Sequence, residues 1–321
     1  MKICILLLGT FGDMILATPI ISMIKKHYPK SEITFIAGNR NHIIIKHHPM
    51  VDRIIIWNKL PHKLISNFIY FWTNKFDYYI DPKDHYSTES CIIARLVRAK
   101  TKIGMNFRKK IFDILIPDER KNAELHYTQR VFRAFESLGI TFEFDTIPRP
   151  ELYYSSDSLN YFVHFLNENG LARNNYIVFN ISASHPRKTF SIETLSQIFA
   201  QTDFFLPVVL TFDVKDTEKA LNLKGKYNHL NLFFSRKITD VFPLIENSSA
   251  VITPDTSIVH IATAYLKPTL AFYSGLDDFF RKFHPNNSNC IVVRAEKGDP
   301  GIQSIPLTSI INYINSFVSK I

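Results

Sequence analysis

The chain has 321 residues, of which 46% are hydrophobic and 13% aromatic, and its formal net charge is +9. This length suits two domains of ordinary size, and the apolar content excludes an intrinsically disordered protein. Three scattered cysteines, Cys4, Cys91 and Cys290, exclude a disulfide scaffold and a cysteine metal site, and they favour the cytoplasm. The apolar run at 3–8 is too short to cross a membrane and is no convincing signal peptide, so it predicts a buried first strand.

The positive charge lies in the first half of the chain. Residues 1–150 contain 23 Lys and Arg against 14 Asp and Glu, whereas 151–321 contain 15 of each. The cations are densest at 95–110, where no acid occurs. This asymmetry predicts that the first half meets an anionic partner. A basic face that only aids solubility is the alternative.

Apolar, β-branched runs in the first half predict strands separated by helices. Helical patterns at about 13–27 and about 88–98 predict βαβ crossovers, and hence a parallel sheet. Near 145–160, two prolines and a polar stretch indicate a linker. The predicted strands are ICILLL, EITFIAG, DRIIIW, FDYYIDP and TKIGM.

The second half repeats this alternation, from NYIVFNIS to PTLAFYS, and ends in the helical pattern IPLTSIINYINSFVSKI. We therefore predict two doubly wound, Rossmann-like α/β domains at 1–150 and 151–321 that face each other across a cleft. The last helix is free to pack back on the N-terminal domain. Ligands of open α/β sheets bind at the carboxyl ends of the strands, so we expect the site there.

The turn GTFGD follows the first predicted strand. Gly9 and Gly12, on either side of Thr10, allow close approach of the backbone, and Asp13 is placed to start the next helix. Asp13 either caps that helix or removes a proton from a substrate hydroxyl. Neither a dinucleotide fingerprint nor a Walker loop is present.

The stretch TPDTSIVHIATAY combines a strand end with a helix start. Asp255 stands where an N-cap residue belongs, and the first-turn amides around Thr256 and Ser257 would form an anion site. His260 lies on the same helical face as Thr256. The arrangement suits a diphosphate, with Asp255 accepting from a ribose hydroxyl. The alternative is a capped helix with His260 packed against the sheet.

The loop NISASHPRKTFS follows another predicted strand. Its hydroxyls and cations, Ser184 and Lys188 among them, could neutralise a phosphate without a metal. An ordinary polar loop is the alternative.

Together these stretches resemble the ADP-heptose:lipopolysaccharide heptosyltransferases, glycosyltransferase family nine, which have GT-B architecture. GTFGDMILATPI is similar to the family's opening Gly-Asp turn and its Thr-Pro. TPDTSIVHIATAYLKP is similar to its Ser-Pro-Asp-Thr-Gly-x-x-His-x-Ala segment and Lys-Pro, with Ser257 in place of the Gly. Lys188, followed by an aromatic residue and an acid, matches a third motif.

The resemblance implies an inverting, metal-independent transferase that moves heptose from ADP-heptose to the inner core of lipopolysaccharide. The nucleotide sugar is a substrate, and no cofactor is expected. Asp13 would be the general base, and Lys188 with the helix start at Thr256 would stabilise the departing diphosphate. An acid in DVKDTEK would meet the nucleoside, and Asp213, Asp216 and Glu218 are the candidates.

The resemblance also gives the basic first half a role, because the N-terminal domain of GT-B enzymes receives the acceptor. We expect a cytoplasmic monomer that contacts the anionic inner membrane leaflet peripherally and binds no nucleic acid. A GT-B transferase for another nucleotide sugar or acceptor, a nucleotide-sugar epimerase and a catalytically silent relative remain alternatives. The predicted acceptor contacts are Arg95, Arg98, Lys102, Arg108, Lys109 and Lys110.

Overall fold

The computed structural model describes residues 1–58, 60–104, 111–118, 120–141 and 146–321. These residues divide into two compact units, 1–153 with 281–283, and 154–280 with 284–321. Our predicted boundary was at residue 150. Residues 146–155 of the predicted linker form neither helix nor strand, and a helix begins at Ser156.

The first unit is a parallel sheet in the strand order β3-β2-β1-β4-β5-β6. Its central strand is buried from Ile3 to Leu7, as expected where helices cover both faces of a sheet. The five predicted strands are β1 to β5. The elements are β1 Lys2–Leu7, α1 Phe11–Ala17, α2 Pro19–His27, β2 Glu32–Gly38, β3 Arg53–Trp57, α3 Pro61–Thr73, β4 Lys75–Ile80, α4 Thr88–Leu96, β5 Arg98–Gly104, β6 Ile114–Leu115 and α5 Tyr127–Arg133.

The helix predicted at about 13–27 is two helices. Pro19 has no backbone N–H, so it suits the first position of a new helix, and Thr18 separates α1 from α2. The helical pattern at about 88–98 ends earlier than predicted, at Leu96, and Arg98 begins β5.

The second unit is also parallel, in the order β12-β11-β10-β7-β8-β9. The last helix could have packed on the first domain, but its buried face, with Ile314 and Phe317, joins the core of this second unit. The elements are α6 Ser156–Glu168, β7 Ile177–Asn180, α7 Ile192–Gln201, β8 Val208–Thr211, α8 Thr217–Lys226, β9 Leu230–Phe233, α9 Val241–Glu246, β10 Ala250–Pro254, α10 Ser257–Ala264, β11 Thr269–Tyr273, α11 Asp277–Phe283, β12 Cys290–Arg294 and α12 Leu307–Val318.

Each sheet has a point at which the strand order reverses. In the first unit it lies between β1 and β4, where Ile5 pairs with Ile80. In the second it lies between β7 and β10, where Phe179 pairs with Ile252. The carboxyl ends of the strands on either side of such a point form the usual ligand site of an open α/β sheet. The predicted residues Asp13, Asp255 and Thr256 all follow these strands.

Candidate active site

Asp13 lies just beyond β1, but it does not cap the helix in the way predicted. The N-cap residue is Thr10, and Asp13 is the third residue of α1. The Asp13 carboxylate accepts hydrogen bonds at Oδ2 from the Thr10 backbone N–H at 2.7 Å and from Thr10 Oγ1 at 2.9 Å. This reciprocal capping box fixes the carboxylate. Among the described residues nothing donates to Oδ1, so one oxygen is available to a substrate.

Two neighbours hold the turn before Asp13 in place. A Cβ atom at Gly9 would lie 2.5 Å from Asp13 Oδ2, so this turn requires glycine. The buried side chain of Asn41 donates to Leu7 O at 3.1 Å and to Gly9 O at 2.9 Å, and it accepts from the Gly38 N–H at 2.8 Å. Asn41 therefore ties the end of β1 to the end of β2. Gly12, the second residue of α1, is half-buried.

More acids follow β4, the neighbour of β1. Burial raises the pKa of Asp81 to about 6. The buried Asp84 forms an ion pair with Arg130 of α5, with Nη1 and Oδ2 at 3.2 Å. Burial raises the pKa of the Tyr127 phenol, and the charges of Asp13, Asp84 and Asp81 raise it further. The carboxylates of Asp81 and Asp84 therefore lie, like that of Asp13, near enough to the Tyr127 phenol to raise its pKa. These acids were not among the predicted site residues, although FDYYIDP places Asp81 directly after the apolar run of a strand.

The three predicted acceptor contacts that the structure describes lie on α4 and β5 and make no contact with Asp13. Arg98 is the first residue of β5, at the amino end of that strand, whereas Asp13 follows the carboxyl end of β1. Arg98 Nη1 donates to Trp72 O at 2.5 Å. Arg95 is exposed near the end of α4. Lys102 Nζ donates to Ala94 O at 2.5 Å, and burial lowers the pKa of Lys102. The other three, Arg108, Lys109 and Lys110, lie outside the described residues.

In the second unit, Asn180 connects the ends of β7 and β10. Its buried Nδ2 donates to Thr253 Oγ1 at 3.0 Å, to Thr256 Oγ1 at 3.2 Å and to Ser182 O at 2.9 Å. Thr256 is the N-cap residue of α10 and accepts from the Ile258 N–H at 3.2 Å. This network fixes the start of α10. The sequence did not point to Asn180, because two of its partners, Thr253 and Thr256, lie more than seventy positions away along the chain.

Asp255 is not the N-cap residue that we predicted. It is buried one position before Thr256 and binds Lys188, with Oδ2 and Nζ at 2.7 Å. Burial raises the pKa of Asp255, and Lys188 opposes this rise. The Lys188 ammonium also lies 3.8 Å from the centre of the Phe279 ring, a favourable position for a cation. Lys188 is therefore held beside the N-terminus of α10. Ser257, the first residue of that helix, is half-buried.

His260 is fully inside the second unit, one turn beyond Thr256. Burial, with smaller contributions from the charges of His284 and Lys188, lowers its pKa from 6.5 to about 4. Its Nδ1 atom is buried and has no hydrogen-bond partner among the described residues. The ring is thus neutral near pH 7.

The acids proposed for the nucleoside differ in their environment. Asp216 Oδ2 accepts from the buried Ser182 hydroxyl at 2.5 Å, and Ser182 Oγ also accepts from the Asp213 N–H at 2.9 Å. Glu218 is exposed on α8, and Ser184 is exposed in the loop after β7. Asp216 is therefore the acid that the fold connects to the β7 loop.

The loop that carries Lys188 is supported by main-chain atoms. Arg187 O accepts from the Ile302 N–H at 2.9 Å. A Cβ atom at Gly301 would lie 2.8 Å from Arg187 O, and one at Gly275 would lie 1.7 Å from Glu296 O. The segment 296–302 thus packs tightly against the ends of both β7 and β11.

The described residues contain neither a metal site nor a membrane-spanning helix. No group of three or more His, Cys, Asp or Glu side chains is arranged to hold a metal ion. No helix in this part of the chain is long and apolar enough to cross a membrane.

Known proteins resemble this chain over most of its length. The model of glycosyltransferase family 9 (heptosyltransferase) matches residues 71–302. Lipopolysaccharide heptosyltransferase 3 of Escherichia coli is 24% identical over 299 residues, covering 86% of this chain and 84% of that protein. A family 9 glycosyltransferase of Veillonella parvula superposes with a TM-score of 0.82 at 18% identity, covering 100% of this chain and 97% of that one. The E. coli heptosyltransferase WaaC with ADP gives 0.75 at 16% identity, covering 99% and 100%. These likenesses confirm the predicted α/β fold with GT-B architecture.

Proposed function

The chain belongs to glycosyltransferase family 9, the heptosyltransferase family, and from this membership we propose that it transfers heptose from ADP-heptose to the inner core of lipopolysaccharide. The relative from E. coli is named for heptose transfer to lipopolysaccharide, and the WaaC structure contains ADP. Both support the choice of donor and acceptor. The family match begins at residue 71, so the role of Asp13 rests on its geometry and on the motif that surrounds it.

The observation that carries the proposal is the pairing of Lys188 with Asp255 beside the start of α10. A Lys ammonium has three N–H donors. Asp255 takes one of them at 2.7 Å, which leaves two for a phosphate. The N-terminus of α10 adds a partial positive charge. Lys188 and this helix start would together bind the diphosphate of the donor, and they would stabilise its charge as it departs without needing a metal.

The reaction is a single displacement that inverts the anomeric carbon. The acceptor hydroxyl oxygen forms the new bond to that carbon, and the bond from carbon to diphosphate oxygen breaks with its electron pair leaving on ADP. The hydroxyl proton passes to Asp13. The capping box supports this role, because Thr10 holds one carboxylate oxygen and leaves the other open.

Other donor-site residues act at the nucleotide. We propose that Asp216, positioned by Ser182, accepts from the nucleoside. His260 would serve the diphosphate side as a neutral donor at Nδ1 or Nε2. The basic first half would receive the carboxylates and phosphates of the acceptor.

The test measures donor binding and turnover separately. ADP, UDP, GDP and CDP are compared by thermal shift in chelator, where a ligand at a hundred times its Kd stabilises by about 2.7 kcal/mol. We expect a selective shift with ADP. Asp13→Asn should keep this shift and lose transfer, whereas Lys188→Met should lose the shift. A preference for another nucleotide would overturn ADP-heptose as donor, and full transfer by Asp13→Asn would overturn the base.

The acceptor role of the basic tract needs its own variant. Neutralising Arg108, Lys109 and Lys110 together should raise the acceptor KM and leave the ADP shift unchanged. A loss of ADP affinity instead would contradict the assignment of the acceptor to the first half.

A further inference from the structure

The outward face of α3 is apolar, which is unusual for a helix on the surface of a protein. Ile65, Phe68, Ile69 and Trp72 are spaced as positions i, i+3, i+4 and i+7, so they form one continuous stripe. All four are exposed, Ile65 at 61% and Trp72 at 66%. Only Asn67 and Phe71 of the thirteen helix residues are buried. The stripe therefore faces away from the core that α3 covers.

The stripe continues into a groove between α3 and α4. The groove has a volume of about 660 Å³ and a lining that is almost entirely apolar, including Leu64, Phe68, Ile92 and Leu96. Ile92 is itself exposed on α4. We call these side chains together, Ile65, Phe68, Ile69, Trp72 and Ile92, the α3 surface. It is a contiguous apolar area of the kind that marks an interaction site.

Cations border the α3 surface. Arg95 follows Ile92 by one helical turn on α4 and is exposed. Arg98 donates to the backbone of Trp72 itself. The helix α3 contains Lys63 and no acid, and the acid in the groove, Glu89, accepts from Trp57 Nε1 at 2.9 Å. The surface thus combines Trp and Phe with positive charge.

We propose that the α3 surface docks on an anionic lipid bilayer. A helix with aromatic and aliphatic side chains on one face and cations at its rim lies in the membrane interface, with its apolar face among the acyl chains. Trp and Phe rings suit that depth, and anionic headgroups attract the flanking arginines. The net charge of +9, all of it from the first half of the chain, favours the same orientation. Only the biological reason, an acceptor anchored in lipid, rests on the proposed function.

The first measurement is co-flotation of the full chain with vesicles. One set is phosphatidylcholine alone, and the other is an equimolar mixture with phosphatidylglycerol. We expect binding to the anionic set. The triple variant Ile65→Ser, Phe68→Ser, Trp72→Ser should bind at least about tenfold more weakly. Arg95→Gln and Arg98→Gln should each weaken binding about fivefold, and only to the anionic vesicles.

A matched control comes from the second unit. Phe205 is 63% exposed, so Phe205→Ser removes a comparable apolar side chain that does not belong to the α3 surface. It should bind vesicles as the unchanged chain does. The ADP thermal shift of every variant shows that it is folded, and it reports on the proposed function independently of membrane binding.

Fluorescence gives a second readout. The chain has two tryptophans, so Trp57→Phe leaves Trp72 as the sole reporter. We expect its emission to shift to the blue with anionic vesicles and to be quenched by brominated acyl chains. Unaltered vesicle binding by the triple variant would overturn the proposal. The proposal would also be overturned if the unchanged chain did not bind vesicles and instead formed a dimer through this surface. In that case the mass measured in solution would be that of a dimer for the unchanged chain and that of a monomer for the triple variant.

Discussion

Lowering the pH should destabilise the second unit through His260. The folded-state pKa of about 4 lies below the ordinary value of 6.5. The unfolded chain therefore takes up a proton on this ring as the pH falls through 6.5, while the folded chain does not. Stability is thus intact above pH 6.5, is lost between 6.5 and 4, and changes no further below 4 on account of this group.

The magnitude follows from the two pKa values. A shift of this size corresponds in full to about 3 kcal/mol, of which about 2 kcal/mol is lost by about pH 5. Domains are stable by only about 5–15 kcal/mol, so the effect is large enough to measure. Burial dominates the shift, because taking the charged ring out of water is unfavourable.

The assay is urea unfolding followed by circular dichroism at about pH 7.5 and about pH 5. His260→Gln removes the titrating ring and should lose less stability between the two pH values, by about 2 kcal/mol. His164, exposed on α6, supplies the control His164→Gln, which should keep the pH dependence of the unchanged chain. If His260→Gln instead loses as much stability as the unchanged chain, the ring is not the buried group described above.

Three further predictions concern the candidate site. Gly9→Ala should lower kcat about as much as Asp13→Asn does, by about a hundredfold or more, because its Cβ atom would displace the carboxylate; a Gly9→Ala enzyme with normal kcat would contradict the geometry. Lys188→Met should lower the free energy of unfolding by about 3–5 kcal/mol, because it leaves the buried Asp255 charge unpaired; chemical denaturation checks this, and an unchanged midpoint would show that the pair is not buried in solution. The double variant Lys188→Met, Asp255→Leu should recover much of that stability but bind no ADP, and a variant that regained ADP binding would refute the role of Lys188.

The architecture could be predicted well from the sequence, because the apolar runs and the order of strands and helices are both local features of the chain. Apolar runs bounded by turns identified β1 to β5, and the order of strands and helices indicated parallel sheets. The positions of Asp13 and Asp255 at strand ends followed from the same pattern. Burial and periodicity are properties of neighbouring residues, so they are readable without the fold.

The two capping assignments failed for a physical reason. Thr and Asp are both good N-cap residues, and each motif contains both, so sequence alone does not decide between them. At α1 the pattern Thr-x-x-Asp was a capping-box signal that we overlooked. At α10 the N-cap residue is Thr256, because Asp255 is buried and binds Lys188, which lies 67 positions away along the chain.

Contacts between distant residues were also beyond the sequence. Asn41 holds Gly9 across 32 positions, and nothing in its surroundings marks it. The sequence also did not show that Arg98 begins β5, at the amino ends of the strands, whereas Asp13 follows the carboxyl end of β1. The helix α3 was not predicted, although Ile65, Phe68, Ile69 and Trp72 follow the helical spacing i, i+3, i+4 and i+7.

The segment 296–302 has a consequence for how this protein can change over evolutionary time. It supports the Lys188 loop through a peptide group, the Ile302 N–H on Arg187 O, and it binds the residue after β11 through the Gly275 N–H on Asp299 O. Every residue type except proline has both a backbone N–H and a carbonyl, so most positions of the segment can be substituted without moving Lys188. Gly275, against which the segment packs, cannot change in this way, because a Cβ atom there would lie 1.7 Å from Glu296 O. Divergent relatives with this site should therefore vary freely at 297 and 300 and keep glycine at 275.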